Sequence, residues 1–425
     1  MRRLHRRRAL IVVLVLGTLV ACRGTETRYT GPYAREVNRA IPLLEKSTGL
    51  TFKTPPKLEE RTRDEVREFL EQQFNEQVTP LEFAGTAQAY RRLGLLPDTL
   101  DLRSFLLDLL TEQVAGYYDP STKVLYVVAD GPPEIRDVTI VHELVHALQD
   151  QYVRLDSVQS LKGDNDRQVA IQAVLEGQAV YEHLSAMLGG SDFSLRLPGG
   201  WGRAREMIES QSASMPLFAR APLLIKETLI FPYLSGAEFV RVFKGARPRA
   251  APFSPLASST EQILHPDRYL DSLPDVPTRI ALGAPSTGSI VHEDNLGEFE
   301  TRIFLFDHLK DQALATQGAA GWDGDRYQLV NTSAGEGLTW LTVWDTSVEA
   351  AEFRDLMERV IERRFKVKAG TGGDGTTRRW TAGARRLLLS METVGGRPAI
   401  IFEDAPVGLA SRLLVTSRVT LSEAR

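Results

Sequence analysis

Apolar positions recur at helical spacing through the first part of the chain and at strand spacing in its last third. From Arg61 to Val78, the residues Val66, Phe69, Leu70, Phe74 and Val78 recur at the i, i+3, i+4 spacing of one helix face and stop at Thr79-Pro80, which predicts a helix. Helices are predicted likewise from Leu81 to Leu95 and from Leu102 to Gln113, each opening after Pro or Asp, so residues 36–113 read as mainly helical. The period then changes. Val114 to Tyr118 and Lys123 to Val128 read as two strands joined by a turn at Asp119-Pro120-Ser121-Thr122. Pro132, Pro133 and Asp137 open a helix that reaches about Tyr152, and the N-cap residues around Asp166 open another that runs to about Leu188. Leu223 to Phe243 is apolar enough for core, with a break expected at Phe231-Pro232-Tyr233.

Around Asp275 to Gly288 the chain turns rich in Pro, Gly and Ser, which marks a boundary. Beyond it the pattern predicts a helix at about 296–315, strands at 327–331 and 338–345, a helix at 348–365, and strands near 386–392 and 398–403. A β-β-α-β-β order implies a small α+β sandwich. It carries no cluster of His or Cys and no phosphate loop, and reads as a part that positions substrate or closes a cleft.

Composition adds export to this picture. Arg2, Arg3, Arg6, Arg7 and Arg8 precede a mostly apolar stretch from Ala9 to Val20, which is too short to span a bilayer of about 30 Å comfortably and reads as a signal segment. It ends in Leu19-Val20-Ala21-Cys22, which resembles the bacterial lipobox, whose cysteine takes a lipid and becomes the N-terminus. Cys22 is the only cysteine of the 425 residues. Cleavage before it removes five arginines and no acid, taking the formal charge from −4 to −9. Such a chain has no broad attraction for nucleic acid or anionic lipid, so membrane attachment is expected through the lipid alone. Arg23 is not the aspartate that commonly retains lipoproteins at an inner membrane, which points to an outer membrane, facing the periplasm, in a Gram-negative cell. Residues 23–35 read as a polar tether.

The candidate chemistry lies in His142-Glu143-Leu144-Val145-His146. Four residues on a helix make about one turn, so His142 and His146 share a face and can hold one metal ion with Glu143 beside it as general base. The string alone arises by chance in roughly 1 of 100 sequences of this length. Its neighbours Leu144, Val145, Ala147 and Leu148 are apolar, as a buried helix requires. Catalytic zinc usually takes three protein ligands and leaves one position for water. On the next helix Glu176 is favoured as third ligand: it sits in an apolar stretch next to Gly177, and a glycine inside a helix signals a close neighbour. His183 and Glu182 stay as alternatives. Tyr117, Tyr118, Tyr181 and His265 are the candidate donors to a transition-state oxygen, and His265 closes the polar run Ser258-Ser259-Thr260-Glu261-Gln262-Ile263-Leu264-His265-Pro266.

HELVHALQDQ followed by LEGQA about thirty residues on resembles the gluzincin type of metallopeptidase. More narrowly, the chain is similar to exported bacterial and archaeal proteins that combine AGYYDP, HELVHALQDQ, EG-x-A and STEQILHP segments, spanning here roughly Leu102 to Tyr269. The resemblance implies a zincin-like, mostly helical metallopeptidase domain with a small antiparallel sheet, over residues 36–285, followed by a smaller α+β domain over 286–425. It implies one zinc ion on His142, His146 and Glu176, with Glu143 moving protons, and a polypeptide substrate laid along the strand before the motif. The metzincin pattern is excluded, since its later positions hold Gln149 and Tyr152. Better-known gluzincins often carry an acid four residues after the glutamate ligand, where this chain has Val180; Asp150 is the substitute candidate, although a solvated aspartate at the helix end is the favoured reading of it. The rival reading is a non-catalytic envelope binding or assembly protein that keeps the fold.

Overall fold

The computed structural model describes residues 29–131, 133–156, 162–187, 215–368 and 376–422. The signal segment, Cys22 and the first part of the tether lie outside them. Among the described residues no helix is long and apolar enough to cross a membrane.

The architecture is mixed α+β, with a mostly helical region and small sheets. Helix α1 (Ala34–Thr48) is followed by strand β1 (Lys57–Arg61) and helices α2 (Arg63–Gln77), α3 (Pro80–Leu93) and α4 (Leu102–Gln113). Thr62 with Glu65 and Thr79 with Glu82 form reciprocal capping boxes that fix where α2 and α3 begin. The expected hairpin is β2 (Gly116–Asp119) and β3 (Val124–Val128). The pattern did not predict β1, which adds parallel to the other side of β3, so the sheet order is β1-β3-β2 and the sheet is mixed rather than purely antiparallel.

Helix α5 (Pro133–Gln149) carries the histidine motif and crosses this sheet. Its Ile140, Val141, Leu144 and Val145 are buried with Val37, Ala40 and Leu44 of α1 and with Leu125 and Val127 of β3. Helix α6 (Asn165–Met187) lies against α5, and α7 (Leu223–Ala246) packs along α6. The break expected at Pro232 does not occur: α7 runs through it. Gly177 of α6 and Gly236 of α7 meet back to back. A Cβ on Gly177 would overlap the Gly236 backbone, and one on Gly236 the backbone of Ala173. The close neighbour that Gly177 signalled is therefore a helix backbone.

Beyond short β4 (Arg279–Ala281), six antiparallel strands form one sheet in the order β5-β6-β7-β10-β9-β8. They are β5 (Ser289–Asp294), β6 (Trp322–Thr332), β7 (Gly335–Trp344), β8 (Thr377–Ala382), β9 (Arg385–Val394) and β10 (Arg397–Pro406). The predicted single helix is two, α8 (Gly297–Leu309) and α9 (Gln312–Ala319), because Lys310 turns left-handed and Asp311 caps the second. Helix α10 (Ser347–Phe365) covers the sheet, with Phe353 packed on Trp340 and Trp344. Strand β11 (Thr420–Ser422) returns to pair with β4. The interior is continuous: Ala170 and Val174 of α6 and Phe239 of α7 belong to the same buried cluster as Trp322, Trp340 and Trp344. The N-terminus of α6 is tied to the start of α8. Asn165 and Asp166 donate their N–H groups to Asp294 and Asn295, and the Asn165 amide reaches Glu300.

Candidate metal centre

Two groups of acidic and imidazole side chains have the spacing of a metal site. In the first, one ligand atom each of His142, His146 and Glu176 lies within 4.8 Å of the others. Glu176 Oε2 is 3.0 Å from His142 Nε2 and 3.4 Å from His146 Nε2, and the two Nε2 atoms are 3.2 Å apart. Helix periodicity brings the histidines to one face of α5, and the α5–α6 contact brings Glu176 to that face. Burial raises the Glu176 carboxyl, but the two histidines outweigh it and hold it below the ordinary carboxylate range. Burial lowers His146, and Glu176 more than reverses this, to about 9.

Behind this face stand partners that fix the rings. His146 Nδ1 is 2.9 Å from Gln149 Oε1, and the Gln149 amide donates to the carbonyl of Leu175 and to Gln178 on α6. Gln149 therefore turns His146 Nε2 inward and ties the motif helix to the helix of Glu176. Asp150 has another task. It is buried and bonded to the Tyr118 hydroxyl, Lys123 and the N–H of Leu155, so it is neither solvated nor directed at a histidine. His183 Nδ1 lies 3.4 Å from His142 Nδ1, on the far side of that ring. Burial, aided by His142, keeps it neutral with a pKa of about 3. Glu182 is fully buried against Lys244.

Glu143 is only 8% exposed. Burial pushes its carboxyl up, and His146 and His142 partly oppose this. It accepts the backbone N–H of Tyr118. In the β2–β3 ladder Val128 donates to Ala115, which puts Tyr117 in the next hydrogen-bonded pair and leaves Gly116 and Tyr118 facing the open edge. That edge borders a cleft of about 560 Å³ lined by His142, Glu143, His146 and Glu176.

The predicted donors are distributed differently. Tyr117 packs on Phe69 and Tyr126, with ring centroids 4.3 and 5.1 Å away. Tyr118 is committed to Asp150. Tyr181 is partly buried against the main core, and His265 pairs with Glu298 at 2.9 Å; neither is among the residues lining the cleft. The phenol that reaches the centre is Tyr233 of α7, which hydrogen-bonds Glu176 and whose ring lies 6.1 Å from that of His142. Glu176, burial and Glu143 hold the phenol well above its ordinary value, so it stays protonated and able to donate. Its sequence signal was masked by Pro232, read as a break.

The second group is Glu261, Asp275 and Asp345. Here a cation is already present. Arg268 pairs with Glu261 at 2.8 Å, with Asp345 at 3.1 Å and with Asp275. The polar run at 258–266 thus binds the interior together: Thr260 bonds Asp166, Ser259 caps its own helical turn, and Gln262 reaches the carbonyl of Asp275.

The donor set of the first group fits zinc. Two imidazole nitrogens and a carboxylate converge, one ring is fixed from behind, and the open side faces the cleft. Residues 286–395 match the model of a family described as a domain of unknown function (DUF8575), a stretch that holds β5 to β9 and none of these ligands. No curated protein and no solved structure matches the chain.

Proposed function

We propose that the chain is a zinc-dependent, gluzincin-like peptidase of the cell envelope, carried there by its signal segment and held by lipid on Cys22. The observation that supports this most is the convergence of His142, His146 and Glu176 at the floor of a cleft, with buried Glu143 beside them. A zinc ion held by these residues supplies Lewis acidity and lowers the pKa of a water toward about 7. The raised pKa of Glu143 suits a carboxylate that accepts a proton and returns it to a leaving amine. Tyr233, protonated and beside Glu176, is placed to donate to an oxygen that gains charge. The open edge of β2 offers the outward backbone groups of Gly116 and the carbonyl of Tyr118 to an extended polypeptide, the Tyr118 N–H being held by Glu143.

Glu143→Gln tests this reading. The variant keeps one equivalent of zinc and loses cleavage of casein by about a thousandfold, measured against wild type under the same conditions. Equal activity in both proteins sinks the mechanism. Absence of cleavage by wild type favours a binding or assembly role.

A further inference from the structure

The cleft extends well past the metal centre, and one face of α6 forms its wall. Asn165, Gln168, Val169, Gln172, Leu175 and Glu176 all line it, the last five lying three, four, seven, ten and eleven residues after the first. Gln172 and Gln168 stand about one and two turns before Glu176, so they lie about 6 and 12 Å from it along the helix axis. Gln172 is exposed to the cleft and Gln168 half-buried, and among the described residues neither side chain makes a hydrogen bond. Asn165, by contrast, is engaged with Glu300.

Across the cleft stands Thr228 of α7. Pro232 has no N–H, so the carbonyl of Thr228 lacks its helical donor and remains an acceptor. The remaining lining near the two glutamines is apolar: Leu155, Val169 and Leu175. Among the described residues lining the cleft there is no Lys or Arg, and the only acids are Glu143 and Glu176, both engaged at the centre.

From this we infer that the α6 wall is a subsite for an uncharged polar side chain of the substrate, selected by Gln172 with Gln168 behind it. The inference rests on the peptidase reading and names the substrate class it takes: internal polypeptide with a carboxamide- or hydroxyl-bearing residue within two positions of the cleaved bond. An extended chain advances about 3.3 Å per residue, so two residues cover the turn from Glu176 to Gln172. A free amide offers both a donor and an acceptor, which satisfies a hydroxyl or another amide from one fixed position. A charged side chain there finds no free counter-ion among the described lining residues, and is therefore disfavoured.

The test is a panel of decapeptides that differ only within two positions of the cleaved bond, where Gln, Ser, Leu, Glu or Lys is placed. Cleavage is measured with wild type, Gln172→Lys and Gln172→Glu, and binding with the non-cleaving Glu143→Gln protein. Wild type is expected to prefer Gln and Ser to Glu and Lys by at least about fivefold. Gln172→Lys shifts the preference to Glu, and Gln172→Glu shifts it to Lys, by about the same factor. A gain for the opposite charge cannot come from a folding defect. Identical profiles in all three proteins overturn the subsite. If wild type cleaves nothing while Glu143→Gln still binds neutral polar peptides selectively, the peptidase reading fails and the subsite stands. Binding without selectivity, or no binding at all, overturns the subsite.

Discussion

The groups His142/His146/Glu176 and Glu261/Asp275/Asp345 satisfy the same distance criterion for a metal, yet differ in what neutralises them. The second is closed around Arg268, whose guanidinium takes a hydrogen bond or ion pair to each acid. Its chemistry is spent on joining the 258–266 segment to the end of β7. The first has two imidazoles and the Tyr233 phenol around its carboxylate and opens to a cleft. Glu300 shows a third solution, one that Glu261, pushed up to about 10 by burial despite Arg268, shares. It is buried with Asp294 and Asp325 nearby, accepts from Tyr90 and Asn165, and is pushed up to about 8 by burial, so a proton neutralises it. Spacing alone does not identify a metal centre; the compensating group does.

The largest effect that sharpens this contrast is on zinc. Glu176→Ala is expected to weaken zinc binding by more than about a hundredfold, beyond what loss of an outer partner costs, while Glu261→Gln leaves it unchanged. Competition against a chromophoric chelator reads both, and equal losses would erase the distinction between the groups. Next is Arg268→Ala, which leaves Glu261, Asp275 and Asp345 without their shared partner and destabilises the fold by about 3 kcal/mol in denaturant unfolding. Added calcium is expected to recover part of that loss in the variant and to do nothing for wild type at this site. Gln149→Ala comes third. It frees His146 to rotate and costs 10- to 100-fold in zinc affinity, with little change in unfolding free energy beyond about 1 kcal/mol.

The last effect concerns Glu300 and shows only as the pH changes. Its folded pKa of about 8 lies above the unfolded 4.5, so the native state binds the proton more tightly. Its contribution to stability is complete below pH 4.5 and is lost as pH rises through 8. Glu300→Gln should flatten that decline by at most about 1.4 kcal/mol per pH unit, measured by chemical denaturation between pH 5 and 8.

Much of the centre could be read from the chain because its signals are local. The i,i+4 histidines, the apolar residues around them and Glu176-Gly177 all lie on two helices with clear 3.6-residue periodicity. What the sequence hid depends on distant pairing or on a misleading local cue. Strand β1 reads Lys-Leu-Glu-Glu-Arg and is a strand only because β3, more than sixty residues later, pairs with it. Edge strands β5 and β8 carry mostly polar residues, and the apolar pattern predicts neither. Gln149 entered only as a glycine missing from another pattern, although it holds both motif helices. Tyr233 lay beside a proline that in fact sits inside a continuous helix.

The glycine notch between α6 and α7 has a consequence for engineering. Gly177 follows Glu176 directly, and Gly236 lies three residues after Tyr233, so the depth of the notch sets how far the phenol stands from the carboxylate. Widening it by a single methyl group would separate Glu176 from its hydrogen-bond donor without altering either. The tuning of the centre can thus drift through residues that never touch it, and a transplant of the three ligands onto another helix pair would need this notch as well.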